Sequence, residues 1–114
     1  MKLKKIINEL SLEPLYLASS EVEVKGGYAG DLLSNVMAGA KKGDIWVTIQ
    51  GHQNIIAVSL LVDVAAVIVA QNMEVEERAV NKAEEKGINL LHSSMDVFEI
   101  AGKLYELGVG RENG

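Results

Sequence analysis

Gly43-Asp-Ile-Trp-Val-Thr-Ile-Gln-Gly-His-Gln-Asn-Ile-Ile-Ala-Val-Ser-Leu-Leu-Val-Asp-Val-Ala-Ala-Val-Ile-Val-Ala-Gln-Asn72 reads as a strand, a helix and a second strand. Ile45 to Ile49 is a short apolar, β-branched run, the polar cluster Gln50 to Asn54 breaks it, and Val64 to Val69 is a second such run. Two parallel strands need a crossover, and Asn54 to Asp63 has the length of a short helix that supplies one. That helix is apolar nearly all round. It is therefore expected to be covered on both sides, either in a sandwiched layer or by a second copy of the chain.

Upstream, Leu32, Leu33, Val36, Met37 and Ala40 form an apolar stripe that predicts a helix over Asp31 to Ala40, with Asp31 as its N-cap. Gly26-Gly-Tyr-Ala-Gly30 before it reads as a turn using positive φ, with Tyr28 as an exposed contact residue. Leu3, Ile6, Ile7 and Leu10 predict an amphipathic first helix over residues 2–10. Pro14 marks a connection, Leu15 to Ala18 a short strand, and Glu21-Val-Glu-Val24 an exposed edge strand or strand-like loop. Downstream, Val75, Ala79, Val80 and Ala83 give one face of a helix over Met73 to Lys86, closed by Gly87. Ile88 to Leu91 is then a strand. Ser93-Ser-Met-Asp96 reads as a capping box opening a last helix, in which Val97, Ile100, Ala101 and Leu104 face the core and Phe98 and Leu107 lie at its margin. Residues 108–114 read as a frayed tail. Strands alternating with helices imply an α/β fold: a single three-layer domain of 114 residues, core about 15–107, with a mostly parallel central sheet.

Composition narrows the function classes. Hydrophobic residues make up 48% of the chain and mean hydropathy is +0.14, which fits a compact domain with surplus apolar surface. A net charge of -5 argues against nucleic acid and anionic membranes as partners. The run Ile55 to Ala70 is shorter than the roughly 20 residues of a membrane span and contains Asp63. No cysteine is present, so thiolate chemistry and disulfides are excluded. Asn8 and Glu9 interrupt the N-terminal apolar stretch too early for a signal peptide, and a cytoplasmic location is expected.

Ligands of open parallel α/β sheets gather at the carboxyl ends of the strands, near helix N-termini. Here that edge collects Gln50, Gly51, His52, Gln53 and Asn54, then Gln71 and Asn72, then His92, Ser93 and Ser94. Such a set suits a phosphate-type anion or nucleotide, with Gly51 leaving room for close approach. The same residues also serve any loop as caps and turns. Two histidines without a positioned carboxylate do not complete a metal site, so no metal or cofactor is expected. No nucleophile and base stand at readable spacing, and Gly26 to Gly30 lacks the spacing of a phosphate-binding loop. A histidine-dependent hydrolase or transferase using His52 or His92 is the weakest alternative.

With Gly27-Tyr-Ala-Gly-Asp-Leu-Leu-Ser34, Gly43-Asp-Ile-Trp-Val-Thr48, Asn54-Ile-Ile-Ala-Val58 and Lys82-Ala-Glu-Glu-Lys-Gly-Ile88, the chain resembles the stand-alone DRTGG-domain family from about Val24 to Leu107. That module is similar to the N-terminal domain of HPr kinase/phosphorylase and occurs in phosphotransacetylases and some CBS-containing pyrophosphatases. The family's Asp-Arg-Thr and Thr-Gly-Gly register on Gly51-His-Gln53 and Ala70-Gln-Asn72, where this chain keeps neither signature. Losing the arginine removes an anion clamp. The resemblance implies a fold like the HPr kinase N-terminal domain and no kinase activity, since the phosphate loop belongs to another domain. Surplus apolar surface, the apolar helix over Ile55 to Val62 and the lack of a catalytic set point to a non-catalytic regulatory or interaction module that is homodimeric, and the resemblance implies that it acts in trans on a protein partner. Nucleotide or other anion sensing at the sheet edge is the alternative.

Overall fold

The computed structural model describes residues 1–111. It is an α/β fold: α1 Leu3–Leu10, β1 Glu13–Tyr16, β2 Gly26–Ala29, α2 Leu33–Gly39, β3 Asp44–Thr48, α3 Asn54–Val62, β4 Ala66–Val69, α4 Glu77–Lys86, β5 Leu90–His92 and α5 Val97–Leu107. The five strands lie in the order β1-β5-β4-β3-β2. β2 to β5 are parallel neighbours, and β1 runs antiparallel on β5. Trp46, Val67 and Leu90 stand in successive register across the central strands.

The apolar runs form the middle of the sheet because they bury both faces. Every residue of β3 and β4 is buried. Period-2 alternation then divides the core. Ile45, Val47, Ala66, Ile68 and Leu91 face α1 and α5. Trp46, Val67, Val69 and Leu90 face α2, α3 and α4. The Trp46 indole is fully buried and donates Nε1–H to the Gly30 carbonyl at 2.8 Å, which satisfies its single polar group. No helix of the described residues is long and apolar enough to cross a membrane, and the run Ile55 to Ala70 divides into α3 and β4.

Four expectations are corrected. Gly26 to Ala29 is a parallel edge strand and not a positive-φ turn, since left-handed glycines occur at Gly43, Gly87, Gly108 and Gly110. Pairing with β3 overrides glycine's weak strand preference, and a Cβ at Gly26 would crowd an Asp44 carboxylate oxygen at 2.8 Å. Asp31 does not cap α2; its Oδ1 accepts from Thr48 Oγ1 and the Ile49 amide, both at 2.9 Å, tying the ends of β2 and β3 together. Glu21 to Val24 takes the second of its two expected forms, a loop with one bridge, Lys2 with Glu23. The helix expected from Met73 starts at Glu77, after a connection folded over Gly51. The frayed tail expected from residue 108 does not begin there. Gly108 closes α5 at φ 103°, Val109 donates to the Leu104 carbonyl and is buried, and residues 112–114 lie outside the described residues.

Within the single chain α3 is covered on one side. Ile55, Ile56, Val58 and Ser59 are buried, but Leu60 is 50% and Leu61 71% exposed. Its outer face is open.

Candidate functional site

The carboxyl ends of β2, β3, β4 and β5 lie on one edge of the sheet, and antiparallel β1 starts there, with Glu13 opposite His92. Most groups on that edge hold its own loops. Gln50 donates from its backbone to Thr48 Oγ1 at 3.2 Å and from Nε2 to the Asp31 carbonyl at 3.1 Å. Gly51 is close to backbone, but the backbone belongs to this chain. Its carbonyl accepts from the Glu76 amide at 2.9 Å, and a Cβ there would overlap the Glu74 carbonyl.

His52 and Gln53 complete the start of α3. The Asn54 amide donates to His52 Nδ1 at 3.1 Å, and the Gln53 amide donates to Glu76 Oε1 at 3.0 Å. His52 Nε2 lies 4.0 Å from the same carboxylate oxygen. Asn54 leaves its side chain exposed at the start of the helix. Histidine here works as a cap, accepting an orphan helix N–H as Ser or Asp usually does.

Gln71 and Asn72 both adopt left-handed backbone, φ 60° and 52°. These are the positions registered on paired glycines in the family resemblance, and the backbone has the conformation glycine adopts without penalty. Their amides donate to the Met95 carbonyl at 2.8 Å and the Ser93 carbonyl at 2.9 Å, which fastens the β4 loop to the β5 loop. Both side chains are exposed.

His92 is mostly covered. Its Nε2 meets the Met73 carbonyl at 3.0 Å and its Nδ1 the Glu13 carboxylate at 3.3 Å. Ser93 is buried and accepts from the Met95 amide at 3.1 Å. The cap of α5 is Asp96, whose Oδ1 accepts from Glu99 N at 2.7 Å; the serines precede it, and Ser94 is exposed.

The Met73 to Glu76 connection divides the expected site. His52 and Gln53 line a cavity of about 390 Å³ with Glu74, Glu76, Glu77 and Arg78. Asn72 and His92 line another of about 300 Å³ with Glu13, Met73 and Val80. The two histidines do not share a cavity, and among the described residues no three His, Cys, Asp or Glu side chains cluster as metal ligands. Sequence reasoning missed Asp31, Glu13 and Glu76. Each looks like an ordinary cap or surface acid in the sequence, and only the fold places it on this edge. Those acids, with Glu74 and Glu77, outnumber Arg78, the one Lys or Arg among the described residues lining these two cavities, and make the edge unfavourable for an anion.

Two apolar concavities lie elsewhere. One of about 320 Å³ runs between the open edge of β2 and α5, lined by Tyr28, Ala29, Leu104, Tyr105 and Val109 among others. The other, about 520 Å³, lies between α3 and α4, with Gln53 and Asn54 at its end.

No protein-family model matches the chain, and no characterised protein matches it in sequence. Among solved structures, the fold is similar to the CBS and DRTGG domains of the regulatory region of Clostridium perfringens pyrophosphatase, a structure complexed with its activator diadenosine tetraphosphate. The TM-score is 0.72 at 16% identity, over 96% of this chain and 48% of that one. The chain spans about half the length of that regulatory region, and the likeness is one of fold.

Proposed function

We propose that this chain is a non-catalytic regulatory or interaction module that works as a homodimer and acts on a protein partner in trans. One contrast carries the reading. The hydrogen bonds that the histidines and Ser93 make at the sheet edge go to the chain's own loops, whereas large apolar side chains stand in solvent on the helices. Phe98 is 88% and Tyr105 62% exposed, two turns apart on α5. Tyr105 borders the open β2 edge, whose glycines present little side chain to block pairing with another strand. The fold likeness to a regulatory region supports the same reading.

Light scattering tests it. The expected mass is twice 12.3 kDa, falling to 12.3 kDa when Phe98→Glu and Tyr105→Glu are combined. A monomer for the unsubstituted chain at micromolar concentration sinks the dimer.

A second reading, nucleotide sensing at the carboxyl edge, is favoured by the anionic activator bound to the fold neighbour and opposed by the acidity of that edge. A thermal-shift titration decides between them. A ligand held only by the folded state adds about 2.7 kcal/mol at 100 times its dissociation constant. A shift with diadenosine tetraphosphate or ATP that is lost in Asn72→Ala and His52→Ala would establish the sensor. Its absence leaves the interaction module.

A further inference from the structure

The groove between α3 and α4 inverts the character of the molecule. The chain has 16 acidic and 11 basic residues, yet none of the eight residues lining this groove is acidic. Its floor is α3's outer face, Ala57, Leu60 and Leu61, at i, i+3 and i+4. Its wall carries Lys82 and Lys86, one turn apart on α4. Among the described residues Lys82 has no ion-pair partner, and Lys86 has its chain neighbour Glu85 at 3.7 Å.

From this we infer that the α3–α4 groove is the docking site for an acidic amphipathic helix of a partner protein. The partner's apolar stripe lies on Ala57, Leu60 and Leu61, and carboxylates beside that stripe meet Lys82 and Lys86. A concave slot between two helices takes the i, i+3, i+4 anchors of a third helix, which a flat bilayer surface does not supply. Net charge -5 disfavours an anionic membrane. A second copy meeting the groove with its own groove brings lysines and no carboxylate, so self-pairing leaves both rows unsatisfied. The inference rests on the regulatory reading above, for which it names the partner's chemistry.

The test is a fluorescence-anisotropy titration of the full chain against synthetic amphipathic helical peptides that share one leucine stripe and flank it with Glu, with Lys or with Ser. The Glu peptide is expected to bind and to weaken as salt rises. The Lys peptide should not bind. Lys82→Glu with Lys86→Glu should cost the Glu peptide roughly tenfold or more in affinity while restoring the Lys peptide. Leu61→Ser, at an exposed position, should weaken every peptide without changing the melting temperature. Equal binding of the Glu and Lys peptides, no binding at all, or indifference to the lysine reversal overturns the inference. So does a halved mass for Leu61→Ser, which would make a second copy the occupant. Binding to phosphatidylserine vesicles in place of the Glu peptide would make it a membrane surface. The peptide titration and the mass measurement at Phe98 and Tyr105 read different faces, so either reading can fail alone.

Discussion

Asn89 and Ser59 are both buried polar residues, and the difference between them is what a hydrogen-bond census decides. Asn89 uses its whole amide. Its Oδ1 accepts from the Ala18 and Ser19 amides at 2.7 and 3.0 Å, and its Nδ2 donates to the Ser19 and Ala65 carbonyls at 3.0 and 2.9 Å. It pins the segment after β1 to the strand side of the core. Ser59 is fully buried in α3 and its hydroxyl has no partner among the described residues. Removing one side of a buried hydrogen bond costs about 1–3 kcal/mol, while an unmade bond has nothing to lose. Asn89→Ala is therefore expected to lower unfolding free energy by about 2–4 kcal/mol in urea titration. Ser59→Ala should leave it unchanged or raise it by about 1 kcal/mol. A loss above that in Ser59→Ala would mean the hydroxyl has a partner, such as a buried water.

At the scale of elements, legibility follows the source of each element's stability. β3, α3 and β4 are readable because Ile45 to Ile49, Ile55 to Val62 and Val64 to Val69 are apolar runs of the right lengths for buried elements. β2 is not, because Gly26-Gly27 carries no strand signal and is held by its neighbour. The start of α4 was hidden for a related reason: Glu74 and Glu76 suit a first helical turn, but the Glu76 amide is committed to the Gly51 carbonyl. The candidate site followed the same rule. The alternation of strands and helices alone places its residues at the carboxyl ends of the strands, whereas Asp31, Glu13 and Glu76 reach that edge only through the fold.

The connection after β4 offers a prediction of its own. A left-handed residue other than Gly costs about 1–2 kcal/mol, and glycine's extra chain entropy about 0.5–1 kcal/mol. Gln71 sits at φ 60° with an exposed side chain. Gln71→Gly should thus stabilise by up to about 1 kcal/mol; destabilisation in urea would show that the glutamine side chain holds the loop.

A second prediction concerns the N-terminal segment. The Lys4 ammonium, helped by Lys2, holds the Glu21 carboxyl below its ordinary 4.5, and the α-amino group does the same to Glu23. A depressed carboxyl contributes stability above its unfolded value and loses it as pH falls through the folded value. The difference between the parent chain and Glu21→Gln should therefore be present at pH 7 and vanish below the ordinary carboxylate range. Because both partners are exposed, it should also shrink with added salt. A difference that persists in acid would assign the glutamate another role.

The whole molecule is asymmetric in a way no single element reveals. One end of the sheet is closed by β1, a short strand with Pro14 and a register irregularity, both features that discourage further pairing. The other end is left open by β2, beside Tyr105, and Phe98 stands exposed two turns away on α5. On the helical face, Leu60 and Leu61 lie beside lysines. A small domain that leaves its apolar surplus on two separate faces has surface for a copy of itself and for something else. Self-association through the β2 end, as proposed, would couple folding to concentration, because a dimer draws down folded monomer by mass action. The melting temperature of the chain should thus rise with protein concentration across the micromolar range. In Phe98→Glu with Tyr105→Glu it should be flat, and in Lys82→Glu with Lys86→Glu it should keep the parent's slope. A concentration-independent melt of the parent would remove the β2 end as a dimer face. A slope abolished by the lysine changes would move self-association to the α3–α4 groove.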